Sequence, residues 1–156
     1  MKKQTPSVLI KIGLSLLAIT LCWAYLYMPW LAGHVVIPYD AIDEDYPTLF
    51  FVSQSLRHGQ LPWWNPYLFT GFAQISDPQA MIFSPFVTLP MAAVANPTPH
   101  WLDLIVIVHI LFGGIGIFGL LRLMGLSYGA AIFGSVIALG GGCLPARLQH
   151  TSLVIS

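Results

Sequence analysis

Apolar and polar residues alternate along this chain in long blocks rather than in single steps. Lys2, Lys3 and Lys11 precede an uncharged run, Ile12 to Leu31, long enough for one helix across a bilayer, which takes roughly 20 residues. A cleaved signal sequence also begins with charge, but its apolar core is about 7–15 residues long, so an uncleaved span is expected. Trp23, Tyr25, Tyr27 and Trp30 crowd its second half, as interface-anchoring aromatics do. Two further runs follow, Leu104 to Leu121 and Leu123 to Leu144, separated by Arg122. Gly125 and Ser127 in "LRLMGLSYG" supply a stop and a start signal, which predicts a tight helical hairpin. Gly113, Gly114, Gly116, Gly119, Gly129 and Gly134 let its helices pack closely.

Between the first and second runs lies a proline-rich stretch holding nine of the twelve prolines. Pro-rich segments are often disordered, yet this one is dense in Tyr, Phe and Trp, which favours a folded loop on the membrane. One short helix is legible in it. Pro47 suits a first helical position and Gly59 the position just past an end. Leu49, Val52 and Leu56 recur at helical spacing, with Phe50 and Phe51 widening the apolar face. Beyond it, "GQLPWWNPYLFTG" cannot continue a helix through Pro62 and Pro66 and reads as a stiff return over the membrane surface. Met81 to Ala95 is apolar but interrupted by Pro85 and Pro90, and reads as a second interfacial or re-entrant piece.

Composition agrees. Of 156 residues 56% are hydrophobic and 8% charged, with zero net charge; soluble chains carry about 25% charged residues. The expected fold is all-α and membrane-integral: residues 1–31 with span one, a loop over 32–100, a hairpin over 101–144, and the start of a further segment over 145–156. No basic tract suggests nucleic acid. Cys22 and Cys143 sit in apolar runs without metal-ligand spacing and read as packing residues; Leu21 before Cys22 argues against a lipoprotein signal. Lys2, Lys3, Lys11 and Arg122 place the N-terminus and the hairpin turn in the cytoplasm, and the long loop outside.

Candidate chemistry concentrates in that loop. Asp40, Asp43 and Glu44 in "YDAIDEDYP" offer a general base toward a hydroxyl, or oxygen ligands from Asp43 and Glu44 for a divalent metal such as Mg²⁺ or Mn²⁺. A merely solvated acidic loop is the plainer alternative. Arg57, Arg147 and His150 are the cationic contacts available to an anionic headgroup. His109 is ionisable within a span and so a functional candidate, although a neutral histidine bonded to a neighbouring helix is the plainer reading.

The order of these pieces, with "GQLPWWNPY", "HILFGGIGIFGLLRLMGLS" and "ARLQH", resembles the N-terminal part of the YfhO family of bacterial multi-spanning membrane proteins, and more distantly the GT-C glycosyltransferases. The resemblance implies sugar transfer from a polyprenyl-phosphate donor to an extracytoplasmic glycan or envelope-polymer acceptor, at the bacterial cytoplasmic membrane. Asp43 or Asp40 would act on the acceptor or hold a metal, with Glu44 beside them. Arg57, Arg147 or His150 would meet the donor phosphate. Trp63, Trp64, Asn65 and Tyr67 would form a sugar platform or a membrane anchor. Such enzymes have more than three spans, and the apolar "TSLVIS" ending reads as a chain cut in mid-element, a fragment inactive by itself. The competing expectation is a small non-enzymatic subunit or assembly factor that binds a partner through its Gly-rich hairpin.

Overall fold

The computed structural model describes residues 6–142 and 145–155; Lys2, Lys3, Cys143, Leu144 and Ser156 lie outside them. The architecture is all-helical. Helices α1 (Pro6–Leu26) and α2 (Met28–Leu31) are followed by one π-helical turn, Ala41–Asp45, continuous with α3 (Tyr46–Arg57). Two 3-10 turns, Gln74–Ser76 and Pro78–Ala80, lead to α4 (Pro85–Ala93). Then come α5 (Pro99–Leu123), α6 (Tyr128–Gly140), a 3-10 turn at Pro145–Arg147 and α7 (Thr151–Ile155).

Among the described residues, three stretches are long and apolar enough to cross a membrane: Ser7–Leu26, Pro99–Leu123 and Tyr128–Arg147. Their outer surfaces suit lipid. Leu9, Leu14, Leu17 and Leu21 on α1 are each more than half exposed, a surface that water would penalise and hydrocarbon would not.

The first apolar run does not form one helix to Leu31. It turns at Tyr27, and Pro29 restarts it as α2, because a proline ring lacks the N–H and clashes with the preceding turn. Two of the four aromatics expected at the membrane interface are buried instead, and Trp30 packs half-buried against the core beside Tyr27. Trp23 donates its indole N–H to the Ile107 carbonyl at 2.9 Å, and the buried Tyr27 hydroxyl donates to the Leu139 carbonyl at 2.8 Å. An aromatic with one polar atom serves either place; here the partner carbonyls on α5 and α6 decide, while Tyr25 stays exposed.

The hairpin forms, but of the six glycines expected to pack it only Gly114 and Gly134 lie at its contact. Gly114 lies beneath Leu139, where a Cβ would sit 2.8 Å from the leucine's Cδ2, and Gly134 receives Leu121. Ser127 caps α6 through the Ala130 N–H, and Gly125 takes the left-handed φ of +86° that the turn needs. Arg122 bonds the Leu126 carbonyl and stacks on the Tyr128 ring at 3.8 Å. Val8 and Ile12 of α1 share a cavity wall with Arg122 and Tyr128, so the N-terminal end of α1 and the hairpin turn lie at one end of the bundle.

Candidate functional site

At the other end of the bundle stands the acidic turn. Its entry is fixed by Asp103, a carboxylate on α5 that is 2% exposed and accepts the Ile37 N–H at 3.1 Å. Tyr39, at a left-handed φ of 60°, reverses the chain into the turn. The cluster expected as a loop before α3 is therefore an added helical turn upon it, and this distributes its four carboxylates. Asp40, Asp43 and Glu44 are exposed, whereas Asp45 is 8% exposed. Asp45 shares a face with Leu49 and Val52, its i+4 and i+7 neighbours, both fully buried.

Burial pushes Asp45 up to about 6, because an ionised carboxylate loses its hydration there. The polar atoms of Thr151, on α7, act in the opposite direction, while Glu44 and Asp40 add repulsion. The Thr151 hydroxyl makes no hydrogen bond of acceptable distance and angle, so its influence on Asp45 is that of a nearby dipole.

One pair of expected site residues meets. His150 Nδ1 lies 2.8 Å from Asp40 Oδ2. The Gln149 amide stands 3.3 Å from His150 Nε2, so a neutral ring donating from Nδ1 to Asp40 and accepting at Nε2 satisfies both contacts. A carboxylate that fixes the histidine tautomer in this way leaves Nε2 as the basic atom.

The cationic group does not converge. Arg57 lies at the far end of α3, about 17 Å from Tyr46 at 1.5 Å per residue, and donates to the Ala92 carbonyl at 3.0 Å. Arg147 is exposed in its 3-10 turn. Among the described residues no group of three or more His, Cys, Asp or Glu is placed to hold a metal ion. Asp43 and Glu44 offer two carboxylates at most, a set that holds Mg²⁺ together with waters and substrate phosphates.

The aromatic stretch is an organised turn. Asn65 and Phe72 exchange both backbone hydrogen bonds, at 2.8 and 2.9 Å. The buried Asn65 side chain accepts the Tyr67 N–H and donates to Gln74. Trp64 lies across Gly71 so closely that a Cβ there would collide with its ring. Asn65 thus holds the turn together, and Trp63 and Trp64 are more than half exposed on its surface. Tyr67 packs edge-on against Phe51 at 6.1 Å between centroids. Together Tyr46, Phe50, Phe51, Asn65 and Tyr67 line a cavity of about 540 Å³, within the size range of small-molecule sites. Thr48 borders both this cavity and the crevice that contains Glu44 and Asp45.

Fold and site together define a helical membrane protein with a structured loop at one end of its bundle. No protein-family model, no curated protein and no solved structure matches the chain.

Proposed function

We propose that this chain is the N-terminal part of a YfhO-like membrane glycosyltransferase that moves a sugar from a polyprenyl-phosphate donor to an extracytoplasmic acceptor. The observation that carries the reading is the junction at Thr48, where the acidic turn adjoins an aromatic-walled cavity. Aromatic faces pack against the apolar faces of sugar rings, and carboxylates beside them accept hydroxyl protons. In this reading the exposed Asp43 or the Asp40–His150 pair takes the acceptor proton; both stand on the same acidic turn, while the carboxylates that border the crevice itself are Glu44, Asp45 and Asp77. Arg147, three residues from His150, meets the donor phosphate, and Arg57 serves to tie α3 to α4. A divalent ion, if the donor brings one, would rest on Asp43 and Glu44.

The test is transfer of labelled sugar from a polyprenyl-phosphate donor by the full-length protein in its own membrane. Asp43→Asn or Asp40→Asn should abolish transfer while membrane insertion stays at the wild-type level. Undiminished transfer in both variants would end the proposal.

A second reading is favoured by one observation: a Cβ at Gly113, Gly116, Gly119 or Gly129 would meet nothing within 4 Å. These glycines are not spent on the internal hairpin contact, and small residues on an open helix face admit a partner helix. Under this reading the chain is a non-enzymatic subunit. Gly113→Leu or Gly116→Leu should then dissolve a complex that survives Asp43→Asn.

A further inference from the structure

Helix α4 lies beside α5 in antiparallel sense. The Trp101 indole N–H donates to the Pro90 carbonyl at 3.0 Å, and the Phe86 ring meets His109 edge-on at 6.1 Å. From Trp101 to His109 is eight residues along α5, about 12 Å of rise. The apolar span begins at Pro99, which puts Trp101 near its outer edge, and half of a hydrocarbon core is about 15 Å. Along α4 itself Pro90 to Phe86 is about 6 Å of rise, so Phe86 stands roughly 6 to 12 Å below the level of Trp101, inside one leaflet. Pro85 reaches further, sharing a groove wall with Phe112.

The sequence suits that depth. No Asp, Glu, Lys or Arg occurs between Asp77 and Asp103. Pro85 occupies the first turn of α4, where its missing N–H removes a donor that lipid would leave unpaired. The Thr88 hydroxyl returns to the Ser84 carbonyl at 2.9 Å. His109 Nδ1 lies 2.7 Å from the Ile105 carbonyl, so its proton has a partner within α5.

The two sides of α4 differ. Phe86 and Leu89 are 72% and 63% exposed, and with Val108 and Phe112 they line an apolar groove of about 600 Å³. This groove continues the exposed apolar surface of α5. Beside the first turn, Ser76, Asp77, Ser84 and Ser152 border a cavity of about 690 Å³. Non-helical backbone at bilayer depth needs protein or a water-filled cavity around it, and Met81 to Ser84 border this one.

We propose that Pro85–Ala93 is a re-entrant half-helix, with its Phe86 and Leu89 face against acyl chains of the leaflet containing the N-terminal end of α5, and with Ser84 open to water. The proposal is independent of any transferase activity. It makes the loop a wedge in the bilayer rather than a cover above it.

Single cysteines at Ser84, Leu89 and Gln60 test it in the full-length protein, with Cys22 and Cys143 replaced by serine, in native membrane vesicles. Thiolate is the reacting form, and each unit of raised thiol pKa costs about tenfold in rate. With a membrane-impermeant maleimide, Leu89→Cys should label at least about tenfold more slowly than Ser84→Cys and Gln60→Cys. With a lipid-soluble maleimide Leu89→Cys should label readily. All three should label after denaturation. Rapid labelling of Leu89→Cys by the impermeant reagent would put α4 in water and overturn the proposal. Protection of Leu89→Cys from both reagents would put protein there instead, and a silent Ser84→Cys would remove the water-filled side.

Discussion

Asp45 gives the most direct test of the acidic turn. Its carboxyl rises from 3.8 to about 6 in the folded chain, chiefly through burial. A shift of about 2 units corresponds to roughly 3 kcal/mol between protonation states. Because the folded value is the higher one, folding favours the protonated acid. That advantage is complete below about pH 4, declines between 4 and 6, and is gone above 6, where the buried group carries an uncompensated charge. Asp45→Asn keeps an acceptor oxygen and removes the charge. It should stabilise the protein by about 1–3 kcal/mol at pH 8, with the gain shrinking toward zero near pH 4. Thermal unfolding of both proteins in one detergent at pH 8, 6 and 4 reads this directly. A variant less stable than wild type at pH 8, or a difference that ignores pH, would refute the argument. A gain in stability accompanied by loss of transfer would mark Asp45 as a strained functional group.

The packing makes further predictions. Gly114→Ala should cost about 1–3 kcal/mol by driving a methyl into Leu139, which is fully buried and has nowhere to move; Gly116→Ala, with open space around it, should cost nothing in the same unfolding assay. Tyr27→Phe should lose about 1 kcal/mol with the bond to the Leu139 carbonyl. Gly71→Ala, at a φ of +123° beneath Trp64, should displace the indole and cost more than about 1 kcal/mol, seen as a changed tryptophan emission.

Much of this fold is written in its spacing. Apolar blocks with glycine and serine between them give the hairpin. Pro47 and Gly59 bracket α3, which runs Tyr46–Arg57 with Gly59 at a φ of +70°. Local chemistry is enough for such elements, because caps and turns depend on neighbours in sequence. The site was less legible because it depends on partners far along the chain. His150 reaches Asp40 from 110 residues away, and nothing near either residue announces the other. Asp45 was discoverable: its spacing to Leu49 and Val52 puts it on the buried face of a helix, but only once the acidic run is read as helical rather than as loop. Trp23 departs from its expected place at the interface for a physical reason. Indole suits both a membrane interface and a buried carbonyl, so Trp23 could be assigned only when Ile107 was found beside it. Arg57 is ambiguous in the same way, since its charge suits an anion while one of its donors serves a backbone carbonyl. Residues that carry both a polar atom and a large apolar body are thus the least decided by sequence. In this loop they are also the residues on which any function must rest, so the aromatic cavity and the acidic turn are best probed as one unit, through Thr48, which borders both.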